Sequence, residues 1–155
     1  MLTFPIFILS YLLNKKLDNI KEKINVNYVR VSSQGQKDDL ERQIEMIQKA
    51  YPENIIIKDI GSGINMNRRG LKKIIDLAIK GQIGNVVVAY KDRLTRFDFE
   101  LIESIITDYS NGQIIVLNKK DEMEPEEELI MDVMQVMNVF IAKMNGLRKY
   151  KNIKK

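Results

Sequence analysis

Three short stretches hold the side chains with which this chain could do chemistry. Tyr28, Arg30 and Ser32 fall two residues apart in an apolar, β-branched run, so in a strand they share one face. Asp59, Ser62 and Arg68 follow a second apolar run, and Asp92, Arg93 and Arg96 follow a third. Arginine, whose pKa exceeds about 12, is not a base; it grips and neutralises phosphate oxygens, often through two parallel N–H donors. A serine hydroxyl among guanidiniums therefore points to phosphoryl transfer. The hydroxyl would attack phosphorus while arginines hold the charge that builds on the equatorial oxygens. Asp92 could move a proton or orient arginines. Four guanidiniums at one sheet edge would repel one another unless an anion lay between them.

The composition removes most competing chemistries. The 155 residues contain no histidine and no cysteine, so imidazole bases, thiol nucleophiles, disulfides and zinc–thiolate sites are excluded. A metal could be held only by oxygen ligands, and no cofactor motif is present. The hydrophobic fraction of 45% and charged fraction of 30% are those of one globular domain. Each stretch also has a plainer reading. Ser32 or Ser33 could cap the helix entered near Gln36. Arg30 could serve a surface ion pair, and Asp92 and Arg93 could pair locally. Gly61-Ser62-Gly63 is a turn without the full dinucleotide fingerprint, and no phosphate-cradling Walker sequence exists.

The elements that must position these groups alternate in type. Val26, Tyr28, Val29 and Val31 predict a first strand, and Leu40, Ile44, Ile47 and Tyr51 an amphipathic helix over Gln36–Ala50. Ile55–Ile57 reads as a short buried strand. Leu71, Ile74, Ile75 and Ala78 predict a helix ended by Gly81. Val86–Val88, a helix over Phe97–Tyr109 and a strand over Ile114–Leu117 complete the set. The expected fold is α/β: a mostly parallel sheet of about four strands, covered by helices on both faces. Such sheets bind ligands beyond the carboxyl ends of their strands, where all three stretches fall.

The flanks differ from this core. Residues 1–24 form an appended segment in which Met1–Leu13 is uncharged and interrupted by Pro5, too short to span a bilayer and charged on the wrong side for a signal peptide. Stable membrane insertion and secretion are not expected; the expected place is the cytoplasm, or wherever a DNA partner would reside. Residues 25–120 make the domain, and 121–150 a long helix. Pro125 and Glu126, Glu127 and Glu128 suit its start, after a stretch, Lys119–Glu128, rich in acids. Leu129, Val133, Val136, Phe140, Met144 and Leu147 then recur every three or four residues, with Met131, Met134 and Met137 beside them. One stripe can pack on the sheet; the excess predicts a second copy, so a homodimer. Residues 151–155 close a basic tail. Arg148, Lys149, Lys151, Lys154 and Lys155 stand there without an acid, and without them the basic residues no longer outnumber the 21 acids. Such a tail attracts a polyanion such as DNA.

Tyr28-Val29-Arg30-Val31-Ser32-Ser33 with Gln36 and Gln43, Asp59-Ile60-Gly61-Ser62-Gly63 with Arg68-Arg69-Gly70-Leu71, and Tyr90-Lys91-Asp92-Arg93-Leu94-Thr95-Arg96 together resemble the three motifs of the serine recombinases, the resolvase/invertase superfamily. Glu41-Arg42-Gln43, and the ending from Phe140-Ile141-Ala142 to Lys151, are most similar to the insertion-sequence transposases that carry an N-terminal MerR-type DNA-binding domain. The resemblance implies that Ser32 is the nucleophile, forming a 5′-phosphoserine linkage and freeing a 3′-hydroxyl. It implies that Arg30, Arg68, Arg93 and Arg96 bind the scissile phosphate, with Asp92 catalytic and with Tyr28, Gln43, Ser62, Arg148 and Lys149 in support. It implies strand exchange without metal, ATP or other cofactor, in a tetramer built from dimers through the long helix. Two departures accompany it. Residues 1–24 are too short for a helix-turn-helix or MerR-type domain, so a full-length relative or separate DNA-binding partner would choose the target. Lys143-Met144-Asn145 replaces the acidic-basic motif of many resolvases. A second reading is a non-catalytic remnant that dimerises with longer relatives and regulates them.

Overall fold

The computed structural model describes residues 5–18, 22–118 and 126–153, with side chains placed over 5–13, 22–118 and 129–146. Helix α1 (Ile6–Asp18) precedes strand β1 (Ile24–Val31), the first strand anticipated. The strand is followed by α2 (Lys37–Ala50), β2 (Ile55–Ile60), α3 (Arg69–Ile79), β3 (Ile83–Val88), α4 (Lys91–Leu94), α5 (Phe99–Ser110), β4 (Gln113–Val116) and α6 (Glu126–Ile153). A single 3-10 turn, Gln34–Gln36, leads from β1 into α2.

The four strands are all parallel and lie in the order β2-β1-β3-β4. The chain thus steps from β1 outward to β2, then returns across β1 to build β3 and β4 on its other side. That reversal puts α2 on one face and α3 and α5 on the other. Val29, Val87 and Ala89 pack with Ile47 and the half-buried Leu40, Ile44 and Tyr51 of α2. Val26, Tyr28, Val86 and Val88 pack with Leu71, Ile74 and Ala78 of α3 and Ile102 and Ile106 of α5. Burying each such aliphatic side chain stabilises the fold by about 1.5–3 kcal/mol. The expected parallel α/β sheet is therefore the observed one, and the reversal between β1 and β3 creates the crevice in which open α/β sheets take their ligands.

Several expectations are corrected. The second strand is an edge strand reaching Ile60, and its position leaves Ile55 45% and Ile60 50% exposed rather than buried. The turn of helix α4, inside the third motif, was not anticipated, and the following helix starts at Phe99, not at Phe97, which is exposed. Pro5 does not interrupt the first segment: its carbonyl accepts the N–H of Ile8 at 2.8 Å and so opens α1. Helix α6 runs 28 residues, and its described side chains lay no stripe on the sheet. Leu129, Val133, Val136, Phe140 and Met144 are all at least 40% exposed, as are Met131, Met134 and Met137. Periodicity reports that a face is apolar; it does not report what covers it. Pro125 and the acids of 121–124 lie outside the described residues, as do the tail's last two, Lys154 and Lys155. No described helix is long and apolar enough to cross a membrane.

Candidate active site

At its carboxyl end β1 loses its neighbour β3, whose pairing with it stops at Asn27 and Val87. The backbone of Arg30 would be left without partners there, and the Gln43 side chain supplies them. Its Oε1 accepts the Arg30 N–H at 3.3 Å and its Nε2 donates to the Arg30 carbonyl at 3.0 Å. On the other side β1 stays paired with β2 through Val31 and Ile60, and the Val31 carbonyl takes the N–H of Gly61 at 2.9 Å. The strand end is thereby held on both edges before any side chain of the site is considered.

The fully buried Arg30 guanidinium ties the three motifs together. Its Nη1 donates to the Gly61 carbonyl at 3.0 Å, its Nη2 to the Asp92 carbonyl at 3.0 Å and its Nε to the Arg93 carbonyl at 3.2 Å. Nη1 also lies 3.3 Å from Ser32 Oγ. Gly63 makes the close approach possible, because a Cβ there would stand 3.0 Å from Arg30 Nη2. Arg30 is therefore no surface ion-pair partner. Ser32 and Ser33 divide as their positions on the strand dictate. Ser32 continues the face of Tyr28 and Arg30 and is half-buried; Ser33 is exposed and caps the 3-10 turn. Both backbone N–H groups donate to Gln36 Oε1, at 2.9 and 3.1 Å.

Arg68 is equally enclosed. Its Nε donates to the Asn65 carbonyl, its Nη2 to the Leu94 carbonyl and its Nη1 to the Tyr28 hydroxyl, at 2.7, 2.7 and 2.6 Å. Burial holds its pKa below the ordinary arginine value, the Tyr28 hydroxyl opposing that effect. Tyr28 in turn donates to Asp59 Oδ2 at 2.8 Å. Its pKa is raised well above 10.0, chiefly by burial; Arg68 lowers it and Asp59 raises it. Asp59 completes the chain by accepting the N–H groups of Gly70 and Leu71, at 2.8 and 2.9 Å. Those amides are among the unpaired donors at the start of α3, so the carboxylate caps the helix from a neighbouring strand. Ser62 is buried, and its Oγ accepts the Ile64 N–H at 3.1 Å, which shapes the second motif's loop.

The remaining two arginines face carboxylates. Arg93 Nη2 lies 3.6 Å from Asp39 Oδ2 of α2, and its Nε 3.8 Å from Asp92 Oδ2. Arg96 Nε donates to Asp132 Oδ2 of α6 at 3.1 Å, with Nη2 3.0 Å from the same oxygen. The expected mutual repulsion of four guanidiniums is thus answered within the chain, by backbone carbonyls and by Asp39, Asp92 and Asp132. The structure gathers Tyr28, Arg30, Ser32, Ser62, Arg68, Asp92, Arg93 and Arg96 at one edge. Gln43 lies behind it, spending its amide on the Arg30 backbone and on Asp39 at 3.0 Å. The side chains of Arg148 and Lys149 are outside the described residues. Among the described residues no group of three or more acids could hold a metal ion.

Asp39 and Asp132 escaped notice in the sequence. Asp132 did leave a signal: it is the one charged residue between Leu129 and Ala142. A solitary acid in an apolar helix needs a cation, and pairing across 36 residues is what periodicity cannot supply.

Residues 25–155 match the resolvase N-terminal domain. A protein of Acanthamoeba polyphaga mimivirus provisionally named a resolvase is 61% identical over 144 residues, which covers 92% of this chain and 76% of that one. A second from the same virus is 57% identical over 142 residues, covering 92% and 74%. Among solved structures, a serine recombinase from Sulfolobus solfataricus superposes with a TM-score of 0.69 and 38% identity, over 86% of this chain and 95% of that one. The C-terminal catalytic domain of an IS607-like serine recombinase gives 0.66 and 37%, over 77% and 84%.

Proposed function

The chain belongs to the resolvase N-terminal domain family, the catalytic domain of serine recombinases, and on that premise we propose that it cuts and rejoins DNA through Ser32. The observation that carries this reading is the position of Ser32 Oγ, at the crevice between β1 and β3 and 3.3 Å from a guanidinium anchored by three backbone carbonyls. A hydroxyl so placed has a fixed donor beside the oxygen that becomes bonded to phosphorus. As the Ser32 oxygen bonds to phosphorus, the bond to the 3′ oxygen breaks, the hydroxyl proton leaves and the 3′ oxygen is protonated. The product is a 5′-phosphoserine ester and a 3′-hydroxyl. Because the ester keeps the energy of the broken bond, rejoining runs as the reverse reaction and needs neither metal nor ATP.

Arg93 and Arg96 are the arginines we assign to the phosphate oxygens, since each meets a carboxylate that a phosphate can replace. Arg30 and Arg68 serve by holding the three motif loops in register. Asp92 is the candidate for the proton. Supporting a self-associating form, a dimer that pairs into a tetramer on DNA, is α6, whose uncharged residues from Val133 to Ile141 lie open to solvent. Arg148 and Lys149 would reach the DNA backbone.

A denaturing assay for protein-linked DNA tests the proposal. Supercoiled DNA incubated with the wild-type chain and then denatured is expected to carry covalent protein, Ser33→Ala to behave alike, and Ser32→Ala to give none while still folding. An adduct that survives Ser32→Ala and vanishes with Ser33→Ala would overturn the assignment. No adduct from any folded chain would favour the dimerising, non-catalytic remnant.

A further inference from the structure

Helix α6 is exposed along nearly its whole described side-chain length, with one exception. Asp132 is 0% exposed. Its Oδ2 accepts a hydrogen bond from Arg96 Nε at 3.1 Å and lies 3.0 Å from Nη2 as an ion pair, while its Oδ1 is buried with no hydrogen-bond partner among the described residues. A carboxylate half satisfied in a buried place is tolerable only while its counter-charge stays. Beside this contact α6 does not close on the body of the protein. A groove of about 300 Å³ runs between Ser62, Ile64 and Asn65 of the second motif and Gln135, Val136 and Val139 of the helix. Arg96, for its part, is anchored by its backbone, whose N–H donates to the Gly63 carbonyl at 3.1 Å.

We propose that Asp132 is a positioning residue that holds Arg96 in reserve, so that a DNA phosphate and Asp132 compete for one guanidinium. This rests on the reading of Arg96 as a phosphate ligand. The consequence is mechanical as well as electrostatic. When Arg96 turns to a phosphate, Asp132 is left as a buried, unpaired anion, and the least costly relief is for α6 to carry it into water. Loading the site and moving the helix are then two sides of one equilibrium. By linkage, whatever draws α6 away also frees Arg96, and by the same factor. Asp39 serves Arg93 differently, because α2 is packed on the sheet through Ile47 and cannot leave with it.

Two measurements on the full chain test this. Hydrogen exchange of the α6 amides between residues 129 and 146 is expected to quicken about tenfold in Asp132→Asn and in Arg96→Gln, a charge-assisted contact being lost in each. The double variant should exchange no faster than either alone, because both remove the same contact. Asp132→Glu should restore part of the protection. In the covalent-adduct assay Asp132→Asn is expected to react several-fold faster than wild type at equal DNA, and Asp132→Asn combined with Ser32→Ala not at all. Unchanged α6 exchange in both single variants overturns the proposal. So does a slower adduct in Asp132→Asn that Asp132→Glu restores, which would make the carboxylate an aid to the active form. If no chain forms an adduct, the strand-transfer reading fails, and the exchange data alone decide whether the Asp132–Arg96 contact controls the helix.

Discussion

Gln43 holds Arg30 by its backbone, with the Gln43 amide donating to the Arg30 carbonyl at 3.0 Å and accepting the Arg30 N–H at 3.3 Å. A side chain from α2 thus stands where the next strand would have continued. The motif resemblance made Gln43 a support for DNA; the geometry makes it a substitute for a strand. Gln43→Ala should lower the free energy of unfolding by about 1–3 kcal/mol, the cost of buried backbone groups left unpaired. Denaturant titration reads that loss. Its companion measurement is the salt dependence of DNA binding, whose slope should stay at the wild-type value; a flatter slope would mean that Gln43 reports on phosphates after all.

Tyr28→Phe should cost a similar amount, about 1–3 kcal/mol, because Arg68 loses an acceptor and Asp59 a donor in a buried place. It should also change the response to alkali. The folded Tyr28 has a pKa raised above 10.0 by burial, so its contribution is complete below 10.0 and is lost as the pH climbs toward the folded value. Stability of the wild type should fall more steeply above pH 10.0 than that of Tyr28→Phe. Parallel curves for the two proteins in chemical denaturation would remove Tyr28 as the cause.

Glycine at 70 is fixed by space. A Cβ there would lie 2.6 Å from Ile57 Cγ2 and 2.8 Å from Asp59 Oδ2, whereas at Gly63 it would meet Arg30 Nη2 at 3.0 Å. Gly70→Ala must push α3 from the carboxylate that caps it and should destabilise by about 1–3 kcal/mol. Gly63→Ala should be milder in thermal melts yet lower adduct formation, since the atom displaced belongs to the guanidinium beside Ser32.

Removing Arg148 to Lys155 takes away five cations. If they lie on DNA, the truncated chain should bind all sequences more weakly and the log–log salt slope should shrink by up to about 4. Filter binding at several salt concentrations gives both values from one experiment, and an unaltered slope would return the tail to solvent.

Much of this was legible in the sequence because the strand rule is local. Alternation put Tyr28, Arg30 and Ser32 on one face, and the parallel class put three loops at one sheet edge. What could not be read were partnerships between distant residues. Nothing in the spacing says that Arg30 takes the carbonyls of Gly61, Asp92 and Arg93, or that Arg96 meets Asp132. Nor does an apolar period say whether a stripe meets the sheet, and α6 does not. Residue type alone leaves Ser32 and Ser33 equal; the backbone sends one along the strand's face and the other into a turn.

The double duty of Arg30 and Arg68 bears on how this lineage can be read through time. Both guanidiniums, with Tyr28 and Asp59, hold the sheet end and the start of α3 together whether or not DNA is ever cut. A copy that had abandoned its reaction would still be selected to keep them, because each loss costs stability. Their survival in a sequence is therefore a record of folding. On the proposed reading the record of chemistry lies at Ser32, and a survey of related sequences should look there first for substitutions that tell working genes from silent ones.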